Sequence, residues 1–294
     1  MDKRMKYLIS LTLVLAFITS SLGLFYKGTH FNQTITSIHG IEVLLYGKGA
    51  YAFMSVMRAG TYIATDIIVL IVVTGLAILL IISKKDTVIK RYVLAGVMLF
   101  ILYYSISLSF GSPLYHFFLI YIVLFFVSSV TSFKLIQLIL KLDITFENKH
   151  LSFKKTSYFL IIAGFSSLIW LTLLIPAMIS RDYSTVVDIN TTEPTFVLDI
   201  GYIFPIYLFT GISLFKHKKI GYQLTPVLLT FYTLVGFLVI SQTIVQRQLG
   251  IDISIQELIV LVFSFALLGL SSGIINYQFL KKIKIFAKKG DIMQ

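Results

Sequence analysis

The 21 residues Tyr62–Ile82, YIATDIIVLIVVTGLAILLII, decide the fold: they carry one charge, Asp66, and are followed, after Ser83, by Lys84-Lys85. As a helix rising about 1.5 Å per residue, this run matches the roughly 30 Å hydrocarbon core of a bilayer. Seven further runs of similar character occur, at Tyr7–Phe25, Tyr92–Phe110, Leu114–Phe133, Tyr158–Ile179, Pro194–Phe215, Leu224–Thr243 and Ile255–Phe279. None shows the ten-residue apolar/polar alternation of a membrane β-barrel. With no water inside lipid to satisfy the backbone, helices are the form left to such runs. The sequence therefore predicts an all-α polytopic membrane helix bundle, one transmembrane domain over 1–294 with eight spans.

Composition agrees. Over 294 residues, 57% are hydrophobic and 13% charged, against about a quarter charged in soluble domains. The formal charge is +12, and its placement reads as topology. With a cytoplasmic N-terminus, 20 of the 25 Lys and Arg residues fall in the tails and loops of the inner side, as the positive-inside rule requires. Both termini are then cytoplasmic and the protein is a multi-pass component of the cell membrane. The basic residues are spread over short loops, so they point to anionic lipid heads rather than nucleic acid. Met1–Lys6 is basic and precedes a long apolar run without a clear A-x-A site, which favours an uncleaved anchor over a signal peptide. The absence of cysteine removes disulfides, thiolate metal sites and thiol nucleophiles from consideration.

Two outer loops are long, 26–61 and 180–193. Within the first, Gly47-Lys48-Gly49-Ala50-Tyr51 punctuates the chain, and 51–60 reads as an interfacial helix feeding the second span. If that helix continues, Arg58, Tyr62 and Asp66 share one face at i, i+4 and i+8. His30 and His39 in this loop lack the patterned partners of a metal site.

The second and sixth spans share an order of features: Asp66, Thr74-Gly75 and Lys84-Lys85 in one, Asp199, Thr210-Gly211 and Lys216 in the other. The match suggests a four-plus-four parallel duplication with halves 1–150 and 151–294, an arrangement known among transporters. The competing explanation is that any two spans entering from outside and ending in Lys look alike. The stretch Phe196-Val-Leu-Asp199-Ile-Gly-Tyr-Ile-Phe-Pro205, continued by Gly211, Leu214 and Gly221-Tyr222, resembles a segment recurring in uncharacterised prokaryotic multi-pass membrane proteins. Gly47-Lys-Gly49-Ala-Tyr51 followed by Asp66 resembles that family's other recurring piece. The resemblance covers about a third of the chain and implies no activity, substrate or cofactor.

Ionisable residues inside spans are costly and therefore candidates for function. Asp66 lies 18 residues from Lys84, His116 lies 18 from Lys134, and Asp199 lies 17 from Lys216. At about 1.5 Å per residue all three fall about 25–27 Å above the inner boundary. Tyr103, Tyr104, Tyr115, Tyr121 and Tyr202 surround that level. Two carboxylates and an imidazole at one depth suit a divalent cation or acid–base work, with Arg58 holding an anionic group and Tyr62 and Tyr202 on the wall. The plainer alternative is a set of unrelated interfacial residues in an aromatic belt.

In the last span, Ser254-Ile-Gln-Glu257 reads as a capping box, and Gly269-x-x-x-Gly273 permits close helix approach, inside the bundle or between copies. Pro205 and Pro176 are expected to kink their helices. No nucleotide-binding, metalloprotease or nucleophile-elbow motif occurs, and no cofactor is indicated beyond that cation. The leading expectation is an integral membrane protein that transports or handles a small molecule or lipid through an outward-facing polar pocket containing Asp66, His116 and Asp199. The alternatives are a membrane-embedded enzyme acting on a lipid-type substrate at the outer interface, and a non-catalytic accessory subunit of a homo- or hetero-oligomeric complex.

Overall fold

Short polar caps start the helices and long apolar runs carry them. In the computed structural model, which describes residues 1–83, 85–142, 145–146 and 152–284, α1 spans Lys3–Phe25, α2 Val56–Ile82, α3 Val88–Gly111 and α4 Phe118–Leu140. Lys154–Ser180 (α5), Pro194–Phe215 (α6) and Lys219–Gln248 (α7) follow, and Ser264–Lys282 forms α8. Asp2, Ser55 and Thr87 cap α1, α2 and α3 by accepting backbone N–H groups of Met5, Arg58 and Lys90. These acceptors satisfy donors that a helix start otherwise leaves open.

Seven helices, α1 to α7, are long and apolar enough to cross a membrane. The eighth expected span is helical throughout, but in three consecutive pieces: Ile255–Glu257, a wider π-type segment Leu258–Phe263, and α8. The faces turned away from the core are apolar as well; Ile81 is 74% and Phe126 66% exposed. Exposed side chains of that size are tolerated where the surroundings are lipid.

The buried core runs continuously from Met5 in α1 to Phe279 in α8. α1 packs on α2 and α4, α3 on α4, α5 on α6, and α7 on α8; α7 also packs on α2, α3 and α6, which makes it the hub. Small residues permit two of those approaches. A Cβ at Gly96 would come within 2.4 Å of Thr230, and one at Gly269 within 2.5 Å of Gly236 Cα. Gly269 thus lies against α7 inside the bundle, while a Cβ at Gly273 would reach Thr233 at 3.3 Å.

Helix ends alternate between two poles. At the basic pole the Met1 amine meets Asp86 at 2.5 Å, Arg91 grips the same carboxylate at 2.9 Å, and Gln223 at the start of α7 donates to the carbonyls of Leu140 and Leu142 beyond α4. Strands Thr145–Phe146 and Ile283–Lys284 pair there. Of the basic residues counted for topology, Lys84, Lys149, Lys288 and Lys289 lie outside the described residues. At the far pole a small antiparallel hairpin, Thr34–Thr36 with Glu42–Leu44, occupies the first long loop. It is strand where the sequence indicated only a loop. The expected helix over 51–60 also differs: Gly49–Tyr51 forms one tight turn and α2 begins at Val56. Ser55 is the reason, because its hydroxyl takes the capping position five residues later than anticipated.

Two helices depart from regular winding at the same place. α5 tightens into a 3₁₀ turn at Ser167–Trp170, and α6 widens into a π-type turn at Asp199–Ile203, where the Phe204 N–H reaches back five residues to the Asp199 carbonyl. Pro205 follows immediately; lacking an N–H, it cannot continue the α pattern behind it. The Ser254 carbonyl accepts the N–H of Leu258 at 3.0 Å; the Glu257 side chain lies outside the described residues.

Candidate functional site

Asp66 sits on the face of α2 turned to α1 and α3 and is fully buried. Tyr51 donates its hydroxyl to Oδ2 at 2.6 Å, and Tyr104 donates to Oδ1 at 2.5 Å. The space exists because position 23 of α1 is glycine: a Cβ there would fall 1.8 Å from Asp66 Oδ2. A charge at the centre of a span costs about 2.5–3.5 kcal/mol on insertion scales. The two phenols give each oxygen of the buried Asp66 carboxyl a hydrogen-bond partner, as a polar group removed from water requires.

Asp199 is built the same way from different helices. Tyr103 of α3 donates to Oδ1 at 3.0 Å, and Trp170, the only tryptophan, donates from Nε1 to Oδ2 at 2.7 Å. The irregular windings of α5 and α6 coincide with this contact, and π-type turns are frequent at functional sites. Tyr103 and Tyr104 are neighbours in α3, so the carboxylates they hold lie at nearly one level along that helix, separated by about one 1.5 Å rise. The two phenols serve different carboxylates, and among the described residues no hydrogen bond joins the two networks.

Arg58 lies at the far-pole start of the same α2 face as Tyr62 and Asp66. Its guanidinium donates to the Gly111 carbonyl at 3.0 Å and forms an ion pair with Glu193, just before α6. One side chain thereby ties together the ends of α2, α3 and α6. Tyr62 stacks on Tyr51 at 5.5 Å between ring centroids and donates to the Ser107 carbonyl at 2.7 Å. His116 is exposed in the turn between α3 and α4, its ring 4.2 Å from that of Tyr115; no hydrogen bond, ion pair or ring contact joins it to either aspartate among the described residues. His39 bonds the Asn190 carbonyl at 3.1 Å, which links the two long loops. No group of three or more His, Cys, Asp or Glu side chains gathers in a metal-binding arrangement among the described residues, and none of the ion pairs there involves Asp66 or Asp199.

The large cavity lies elsewhere than at Asp66. A groove of about 940 Å³ runs between α3, α4, α6 and α7. Leu102, Ile106 and Phe110 of α3, Phe125 of α4, Val197 and Phe209 of α6 and Phe231 of α7 are among the apolar side chains of its wall. Tyr103, Ser129, Thr192 and Tyr202 supply its hydroxyls. Tyr202 is two-thirds exposed on this side. Gly201, within the π-type turn, lines the groove with nothing within 4 Å of where a Cβ would stand. Asp66 and His116 do not line it, and Asp199 touches it only through Tyr103.

Trp170, Glu193, Tyr51 and Gly23 were not among the sequence candidates. Trp170 is unique and Glu193 precedes a helix-starting Pro194, two signals that could have drawn attention to them. Gly23 carries no such mark. No family model matches the chain, and no curated protein and no solved structure matches it.

Proposed function

We propose that this chain is a multi-pass membrane protein that binds and handles a lipid-like small molecule in the groove between α3, α4, α6 and α7. The observation that carries this reading is the groove itself. Its volume falls within the roughly 300–1,000 Å³ of ligand sites, its wall is apolar, and Tyr103 with Asp199 behind it places one polar cluster against that wall. The groove differs from the polar, outward-facing pocket expected of the sequence, and it favours an amphiphile over a hydrated solute. The basic pole faces the cytoplasm of a cell membrane in this account. Consecutive helices pack as the pairs α1–α2, α3–α4, α5–α6 and α7–α8, which a four-plus-four repeat would share with any up-and-down bundle. Gly269 packs on Gly236 of α7 inside the bundle, while Leu267, Leu270, Ile274 and Tyr277 of α8 remain exposed.

The test fills the groove. Purified protein in a neutral maltoside detergent is titrated with dodecanol, and saturable binding is compared with that of Gly201→Trp. Position 201 has room for a side chain, so the variant is expected to unfold at a similar temperature and to bind no dodecanol. Undiminished binding by a folded Gly201→Trp protein contradicts the proposal. A second reading, a membrane-embedded enzyme, draws on the Tyr103 and Asp199 pair as a proton-transfer couple beside the groove; turnover of a lipid ester in detergent, lost in Asp199→Asn, separates it from simple binding.

A further inference from the structure

Two of the four hydroxyls on the groove wall, those of Tyr103 and Ser129, have already committed their protons elsewhere, as has that of Thr195 behind the wall. Tyr103, which lines the groove and is partly exposed, donates to Asp199. Ser129, across the groove on α4, donates to the Phe125 carbonyl at 2.7 Å. Thr195 lies beside the Tyr103 hydroxyl and gives its own proton to Glu193 Oε1 at 3.0 Å. A hydroxyl carries one proton and two lone pairs. Each of these oxygens can therefore accept a further hydrogen bond but has none left to donate. Arg58, which does not line the groove, is engaged by Glu193 and the Gly111 carbonyl.

On this basis, and resting on the groove reading above, we infer that the ligand carries a hydrogen-bond-donating head, an alcohol or an ammonium group, which donates to the Tyr103 oxygen while its chain fills the apolar groove. An anionic carboxylate or phosphate, or an ether or ester oxygen, placed against the Tyr103 oxygen sits opposite lone pairs. Asp199 reinforces the preference: its carboxylate has two neutral donors and no ion-pair partner among the described residues, so it draws electron density toward Tyr103 and favours a positive or proton-rich head. Thr192 and Tyr202 also line the groove; the preference argued here is that of the head group which meets the Tyr103 oxygen.

The experiment uses the full chain in neutral maltoside detergent and two chain-matched neutral probes, dodecanol and dodecyl methyl ether, with dodecylamine as the charged donor. The alcohol and amine are expected to bind about tenfold more tightly than the ether, the effect of one hydrogen bond. Tyr103→Phe is expected to bind all three probes with the ether's affinity. Equal affinity of alcohol and ether in the unmodified protein overturns the inference while leaving the groove reading intact. So does a preference that survives in Tyr103→Phe. If Tyr103→Phe does not fold, the alcohol-to-ether ratio of the unmodified protein decides alone. Failure of every probe to bind saturably removes the groove reading and this inference together.

Discussion

Tyr103 and Tyr104, adjacent in α3, donate their hydroxyls to different aspartates, Tyr103 to Asp199 in α6 and Tyr104 to Asp66 in α2. Successive residues of a helix point about 100° apart, so one helix serves two carboxylates on separate faces. Asp66 is sealed behind Tyr51 and Gly23, whereas Asp199 stands behind a residue that lines the groove. The level is common and the surroundings are not.

That separation predicts additivity. Asp66→Asn and Asp199→Asn share no hydrogen-bond partner, so their effects on unfolding free energy are expected to sum to within about 0.5 kcal/mol in the double variant. A larger coupling, measured by denaturation in mixed micelles, indicates a shared site. Dodecanol binding is expected to respond to the Asp199 change alone.

Gly23→Ala is expected to destabilise the protein by about 1–3 kcal/mol, the usual cost of overpacking a tight interior, because the added methyl would overlap Asp66 Oδ2. Combining it with Asp66→Ala removes the closest overlap and leaves the Tyr51 hydroxyl, 2.6 Å from the added methyl, so the double variant is predicted to be less unstable than the sum of the singles. Thermal unfolding of the four proteins checks this.

Arg58 and Glu193 form a partly buried pair, with side-chain exposures of 10% and 23%. Removing one partner strands the other, which costs more than removing both. Arg58→Met is therefore predicted to be less stable than Arg58→Met with Glu193→Gln, with a coupling of about 0.5–3 kcal/mol. A double variant no better than the Arg58 single contradicts the clasp.

How much of this was legible in the sequence follows from the physics of each signal. The apolar runs announced the helices because lipid imposes both length and composition on a span. Counting from Lys84 and Lys216 placed Asp66 and Asp199 at one depth, since helical rise is fixed; that both are held by consecutive tyrosines of α3 agrees with the count. Which way each aspartate faces depends on how the helices rotate against one another, and apolar side chains on every face of α2 and α6 leave no stripe from which to read that rotation. The same uniformity hid α7 as the hub. His116 fell at the right depth by the same arithmetic, yet the chain at Ser112–Phe117 leaves the helix and turns it outward. The hairpin at Thr34–Leu44 went unread because strands of three residues are too short for alternation to register.

At the basic pole, Arg91 and the Met1 amine hold the Asp86 carboxyl down to about 2, below its ordinary 3.8. A lowered value means that this contribution is fully present above about pH 4 and disappears as the pH falls through 2. The group is largely solvent-exposed, so screening limits the effect to less than about 1 kcal/mol. The stability difference between the protein and Asp86→Asn is expected to be constant from pH 7 to pH 5 and to vanish near pH 2. A difference that shrinks between pH 7 and pH 5 contradicts this assignment.

The groove is tested most directly by a photoactivatable alkyl alcohol, with a diazirine in its chain, added to the reconstituted protein and mapped by peptide mass spectrometry. The account predicts labelling concentrated on 99–110 of α3 and 197–209 of α6, suppressed by excess dodecanol. Labelling spread evenly over every lipid-facing helix, including 71–82 of α2, and insensitive to dodecanol, would show that these walls hold no ligand.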